Sequence, residues 1–405
     1  MNKRMAWCVL IVFVCACCLA LFVACVDGEC KHAYSDGVCY KCGEPCNHQF
    51  EDGKCKICGI ADPTPVVCEH SFVKGVCVKC GEPDPDFTQL YYRNPILQVD
   101  CADPHIIRHD GVFYIFSTGL KIFKSTDTVT WESAGTMGIN PTWGTKGAGN
   151  WAPDVVKIGN KFLVYYSRSS WGDANPGIGV ASADHPLGPW TDHGCMFLSK
   201  DIGVENSIDA GVFVGQDGKV YMTWGSFRGI YCVQLTDDGL NLYNGIDYAR
   251  ENKVLIAGKV GEWDGTTFEG AYVIFKDGYY YFFGSSGTCC DGLNSTYNVR
   301  VGRSRNPMGP YVDSNGADLA NNRNVGHQVV QGSSMLVGPG HNSIFVDDAG
   351  DYWLVYHLYQ NDNGNARGRY LAIDKLIWDA DGWCSVKSLM PSSKKTEAPY
   401  IASSK

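Results

Sequence analysis

Three acids, one histidine and one tryptophan hold comparable places along this 405-residue chain. Asp103 stands eight residues before Gly111, while Trp151, Asp209, Glu269 and His341 stand nine before Asn160, Gly218, Gly278 and Gly350. Each of those small residues closes an apolar hairpin, so copies of one structural unit would bring all five side chains to one point. Two carboxylates across a pocket are the minimum equipment for hydrolysing a glycosidic bond. One must be ionised to activate water and the other protonated to release the leaving oxygen. A third acid raises a neighbour's pKa through like charge, and an indole offers a stacking face to a sugar ring. A single acid before a strand is ordinarily a structural cap, but three at one repeat-equivalent position are not explained that way. Asp103 and Glu269 would come from different blades, which favours a wide separation with room for a water and therefore inversion. Periodicity alone does not decide which acid does which job.

A second constellation lies nearer the N-terminus. Residues 30–80 carry nine of the 20 cysteines and three of the ten histidines. They form three sets: Cys30/His32/Cys39/Cys42, Cys46/His48/Cys55/Cys58 and Cys68/His70/Cys77/Cys80. The spacing Cys-x-His-x6-Cys-x2-Cys is identical in each, with a glycine two residues before the third ligand. Four soft or borderline ligands per set suit a closed tetrahedral zinc site, and so short a module needs metal for its folding energy. Disulfides are the competing reading, but three cysteines per set is an odd number and leaves the histidine without a role.

The elements that must position the acids read as strands. Ile106–Ile107 leads through Asp110-Gly111 into Val112–Phe116, and the pattern returns at Val155–Tyr166, Val212–Trp224, Val273–Phe283 and Ile344–Tyr356. Each copy is an apolar strand, a Gly or Asn turn and an aromatic or β-branched strand, hence a hairpin. Five copies at ~50–70-residue spacing, without helical periodicity between them, predict an all-β, five-bladed propeller with first strands lining the channel.

The net charge of −9 and the absence of a basic cluster argue against nucleic acid as a partner. Lys3 and Arg4 precede an apolar run from Met5 to Val26, so residues 1–26 read as an export signal, with Ala24-Cys25 as a candidate lipoprotein junction. Domain expectations follow: three zinc-ribbon-like repeats over 27–81, a stiff linker over 82–89, the propeller over 90–391 and a polar, unstructured tail over 392–405. The chain is expected to be secreted or anchored at the cell surface and to act as a monomer. Cys289-Cys290 either forms a vicinal disulfide near the cleft or stays reduced. Cys101, Cys195, Cys232 and Cys384 read as core residues.

Ala102-Asp103-Pro104, Trp151-Ala152-Pro153-Asp154, Ser207-Ile208-Asp209, Glu269-Gly270-Ala271 and Gly338-Pro339-Gly340-His341-Asn342 resemble the blade motifs of glycoside hydrolase family 43. Cys289 to Tyr297, Gly302-Arg303-Ser304 and Trp224 to Phe227 are similar to the endo-α-1,5-L-arabinanases of that family. The resemblance implies hydrolysis of arabinan with Asp103 as general base, Asp209 as pKa modulator and Glu269 as general acid. It implies substrate contacts from Asn150, Trp151, Asn206, Ser207, Ile208, Ser226, Phe227 and Arg228. It also implies a calcium ion in the central channel, held by His341 through waters. An exo-acting α-L-arabinofuranosidase or β-xylosidase on the same fold is the alternative. Ala210 and Ala271 stand where the family more often has proline, which bears on exo against endo preference.

Overall fold

The computed structural model describes residues 68–260 and 267–402, together with short pieces between 33 and 60. The chain divides into two compact units, residues 1–71 and 72–405. In the first, the described parts are two short hairpins, Tyr34–Ser35 with Val38–Cys39 and Phe50–Glu51 with Lys54–Cys55. The segment 1–26 lies outside the described residues.

The second unit contains the propeller. Four consecutive four-stranded antiparallel meanders start at His105–His109, Gly149–Ile158, Gly211–Val214 and Glu269–Lys276. A fifth begins at Leu336–Val346 and continues through Tyr352–Asp362 and Asn365–Lys375. Each first strand touches the next, and the fifth returns to the first, so the five form a closed inner ring. The Asp110-Gly111 and Asp277-Gly278 turns have positive φ at both central residues, which matches the twist of a two-residue hairpin.

Each second strand is dominated by apolar and aromatic residues because both its faces are buried. In blade 1, Phe113 and Ile115 pack toward blade 5, whereas Tyr114 and Phe116 pack toward blade 2. The other interfaces repeat this arrangement, so the hydrophobic core is five aromatic-rich wedges between neighbouring blades.

Ring closure uses both ends of the unit. Ile96 and Cys101 donate their backbone N–H groups to Leu371 and Arg369, giving blade 5 the outer edge it lacks. Thr396–Glu397 pairs with Tyr91–Tyr92, and Ala398 is buried. Residues 392–402, expected to be an unstructured tail, are therefore packed into the closure. Their polar composition hid the pairing, because the partner strand is more than 300 residues away in sequence. Buried Asp374 ties this region together. It accepts hydrogen bonds from Tyr92 (3.1 Å), Asn94 (2.9 Å), Tyr356 (2.6 Å) and the Ser392 N–H (3.2 Å). The segment 82–89 is likewise a packed strap: Cys77 donates to the Glu82 carbonyl, and the Phe87 ring meets Tyr400.

Candidate active site

At the channel mouth each inner strand has a residue in the left-handed region, just before the strand for Asp103 (φ 56°) and Asp209 (59°) and within it for Ala152 (42°), Gly270 (59°) and His341 (48°). The ladder skips register beside three of them, between Trp151 and Asp154, Glu269 and Tyr272, and Gly340 and Ser343. Such bulges re-aim side chains and recur next to active sites. In blades 2 and 4 the left-handed residue is the one after Trp151 and Glu269, so those two side chains stand one step earlier than Asp103, Asp209 and His341 do.

Asp103 is held as an anion. Its N–H donates to His357 Nδ1 at 3.0 Å, and the Thr118 hydroxyl donates to Oδ2. Thr118 is itself fixed by the Ala152 N–H at 3.0 Å. His341 Nδ1 lies 3.4 Å from Oδ1, and Arg369 Nη1 lies 3.8 Å from Oδ2. Burial alone would raise the Asp103 pKa, but His341, Arg369 and the Thr118 hydrogen bond hold it at about 2. The His357 pKa falls to about 3, chiefly through burial. That ring is neutral, and its Nδ1 must be an acceptor.

Glu269 is held the other way. Ser226 Oγ donates to Oε2 and the Tyr297 hydroxyl to Oε1, both at 2.7 Å. These bonds and His341 favour the anion, yet burial, aided by the Asp103 charge, leaves the Glu269 pKa raised. The Asp209 carboxyl is pushed well up by burial, then by Glu269 and Asp103. The sequence reading had Asp209 acting on Glu269. In the folded chain Glu269 in turn raises Asp209, so the two acids interact electrostatically.

The proposed substrate contacts divide into two groups. Trp151 is half-buried at the mouth, and Trp171, 79 % exposed, lies 5.9 Å from it ring to ring. Asn206 reaches the Ser226 carbonyl through Nδ2 (3.2 Å), and Arg228 lies 3.6 Å from Glu205. Asn150 accepts from Arg168 at 3.0 Å. Ser207 is fully buried, its hydroxyl donating to the Val204 carbonyl and accepting from Trp224 Nε1, so it is a structural group. Ile208 and Phe227 are also buried, and the Ser226 hydroxyl serves Glu269.

Thr118, Tyr297, His357, Arg369 and Trp171 were not singled out as site residues in the sequence. His357 carried a signal, since it is a lone imidazole directly after the apolar run Tyr352–Tyr356. Tyr297 has another: a Cβ on Gly340 would fall 2.0 Å from its ring, so that glycine makes room for the tyrosine beside Glu269.

Among the described residues one Cys/His cluster could hold a metal: the ligand atoms of Cys68, His70, Cys77 and Cys80 all lie within 4.8 Å of one another. Their donor types and count fit a closed tetrahedral site. Cys30, His32, Cys42, Cys46, His48 and Cys58 lie outside the described residues, as does the Cys39 side chain; Cys55 is buried in its hairpin. The residues present do not make a calcium shell at His341. Its Nδ1 faces Asp103 and Asp209, and a single imidazole is a poor ligand for an ion that takes six to eight oxygens. Cys289 and Cys290, one of whose two expected states was a disulfide, are free thiols with sulfurs 2.8 Å apart.

Residues 92–384 match the family described as Glycosyl hydrolases family 43. The chain is 33 % identical over 314 residues to the extracellular exo-α-(1→5)-L-arabinofuranosidase of Cellvibrio japonicus, covering 71 % of this chain and 87 % of that one. It is 32 % identical to the extracellular endo-α-(1→5)-L-arabinanase 1 of Bacillus subtilis, covering 70 % and 86 %. The solved endo-arabinanase of Bacillus licheniformis superposes with a TM-score of 0.63 at 30 % identity, over 73 % of this chain and all of that one.

Proposed function

Because the chain belongs to glycosyl hydrolase family 43, we propose that it is an exported, endo-acting, inverting hydrolase of α-1,5-linked L-arabinan. The observation that carries this reading is the opposed electrostatics of the channel mouth: Asp103 kept at about 2 while Glu269, on another blade, is pushed up. That contrast suits Asp103 to the part of base and Glu269 to the part of acid. The Asp103 carboxylate takes a proton from a water as its oxygen attacks the anomeric carbon. Glu269 gives its proton to the departing sugar oxygen, and that bond breaks. Asp209 and Glu269 interact electrostatically, and Tyr297 and Ser226 orient the acid.

Endo action is supported by the paired indoles of Trp151 and Trp171, which extend a stacking surface outward from the acids, as a long chain bound across the mouth requires. The exo reading has support of its own, since a relative of 33 % identity carries an exo name. Digesting linear arabinan and following chain length separates them. Endo action gives a ladder of oligosaccharides early; release of arabinose alone from the first minutes would overturn it.

The three Cys/His sets are proposed to hold zinc as a structural metal. Export rests on residues 1–26 and on the extracellular names of the relatives. The repeats are proposed to attach the enzyme to the cell surface, tested by comparing surface retention with and without residues 30–80.

A further inference from the structure

The loop from Gly287 to Tyr297 carries two adjacent cysteines that the hydrolytic chemistry does not use. It is pinned at both ends. The Thr288 N–H donates to Thr296 Oγ1 (2.9 Å), the Thr296 N–H to Thr288 Oγ1 (3.1 Å), and Ser295 Oγ to the Thr288 carbonyl (2.6 Å). Adjacent side chains in extended backbone point to opposite sides. Here Cys290 adopts φ 59°, which turns its side chain back, so the sulfurs meet at 2.8 Å. Holding a non-glycine residue in that region has a cost that recurs at functional sites. Cys290 is exposed and Cys289 half-buried. On the other side, Arg369 Nη1 lies 3.8 Å from Cys290 Sγ and 3.8 Å from Asp103 Oδ2. One guanidinium thus bridges the thiol pair and the proposed base.

We propose that Cys289 and Cys290 form a redox-active dithiol on the rim of the cleft. It would be oxidised by small disulfides, and in its reduced state it would bind thiophilic reagents that span two sulfurs. The Cys290 thiolate attacks one sulfur of a small disulfide RSSR, releasing RS⁻, which takes up a proton, and forming a mixed disulfide. Cys289 then loses its proton to solvent and attacks Cys290 Sγ, and the second RS⁻ leaves and is protonated. Two protein thiols are oxidised to one disulfide, and RSSR is reduced to two RSH. Cys290 is the attacking sulfur because it is exposed. The Cys289 S–H and then Arg369 lower its pKa, whereas the Cys289 pKa is raised by its hydrogen bond to Cys290 and by burial. The buried single thiols behave otherwise: burial pushes Cys101 up to about 12 and raises Cys232 and Cys384 as well.

Placement beside Arg369 gives the pair a consequence. A reagent bridging both sulfurs sits within reach of the proposed base and blocks the cleft, whereas the compact disulfide leaves it open. The test uses the full chain, metal-loaded, in reduced form and after incubation with oxidised glutathione. Peptide mass mapping of the Gly287–Tyr297 segment reads the chemistry without reference to any hydrolytic activity. The expected product has lost two hydrogens and carries no glutathione. A stable glutathione adduct, or an unchanged pair of thiols, would overturn the proposal. Phenylarsine oxide is then added to each form. The reduced enzyme is expected to lose about tenfold or more of its arabinan hydrolysis, recovering with a dithiol, while the oxidised enzyme is spared. Cys290→Ser should be insensitive throughout. That activity readout rests on the proposed function, and the mass readout does not. A reduced enzyme that stays fully active with the arsenical bound across both sulfurs would remove the link to the cleft.

Discussion

Tyr297→Phe isolates the balance that makes Glu269 an acid. The tyrosine hydroxyl donates to Oε1 at 2.7 Å, and both side chains are buried, so solvent does not screen the contact. The bond favours the carboxylate, and its loss therefore raises the Glu269 pKa further. Hydrogen bonds to charged groups contribute about 1.5–3 kcal/mol, and 1.36 kcal/mol corresponds to one pKa unit. Ser226 continues to donate to Oε2, so a shift of about one unit is expected, at the low end of that range. A general acid works while protonated, so the basic limb of the kcat/KM profile should move up by roughly one unit. The acid limb, set by Asp103, should stay in place. The assay is kcat/KM on arabino-oligosaccharides across pH, with the Tm of each variant as a check that the fold persists. A basic limb that stays fixed, or moves to lower pH, would refute the assignment of Glu269 as the proton donor.

Other outcomes follow from the same geometry. Asp103→Ala should cost about 10²–10⁴-fold in kcat on any substrate, whereas Glu269→Ala should be partly spared on an aryl arabinofuranoside whose leaving group needs little protonation. Trp171→Ala should raise KM on long arabinan about fivefold, the equivalent of about 1 kcal/mol of stacking, and leave hydrolysis of short oligosaccharides nearly unchanged. Deleting residues 392–405 removes the strand partner of Tyr91–Tyr92 and the Ser392 donor to Asp374. The Tm should drop by roughly 5 °C or more, with kcat little altered in the molecules that remain folded. Metal analysis of the full chain should find zinc at about three per chain, and Cys68→Ser should lower it by about one.

The blades and the mouth acids were legible for a physical reason. A propeller repeats one hairpin, and burial on both faces forces each second strand into an aromatic run such as Phe162–Tyr166 or Tyr279–Phe283. Counting from the turns therefore picked out Asp103, Asp209, Glu269 and His341, which the fold brings to one mouth. In blades 2 and 4 the left-handed position falls one residue later, on Ala152 and Gly270, which spacing cannot reveal. The residues that set the proton balance were harder to see. Thr118 acts on Asp103 from the turn after a second strand, and His357 and Arg369 from a second and a third strand, where nothing in the local pattern marks a polar residue as facing the channel. Ser207 shows the opposite case: it stands two residues before Asp209, yet its hydroxyl faces inward to Trp224. The packed tail was lost for a third reason, since ring closure pairs the two ends of the unit and short polar strands carry no period.

The measurement that bears most directly on the account is the anomeric form of the first product, followed by proton NMR while linear α-1,5-arabinan is being cut. Water activated by Asp103 and attacking opposite the bond that Glu269 protonates predicts β-configured reducing ends, appearing first on shortened oligosaccharides and then mutarotating. α-Configured ends at the earliest times would mean retention through a covalent intermediate, and would contradict the base and acid roles assigned to Asp103 and Glu269.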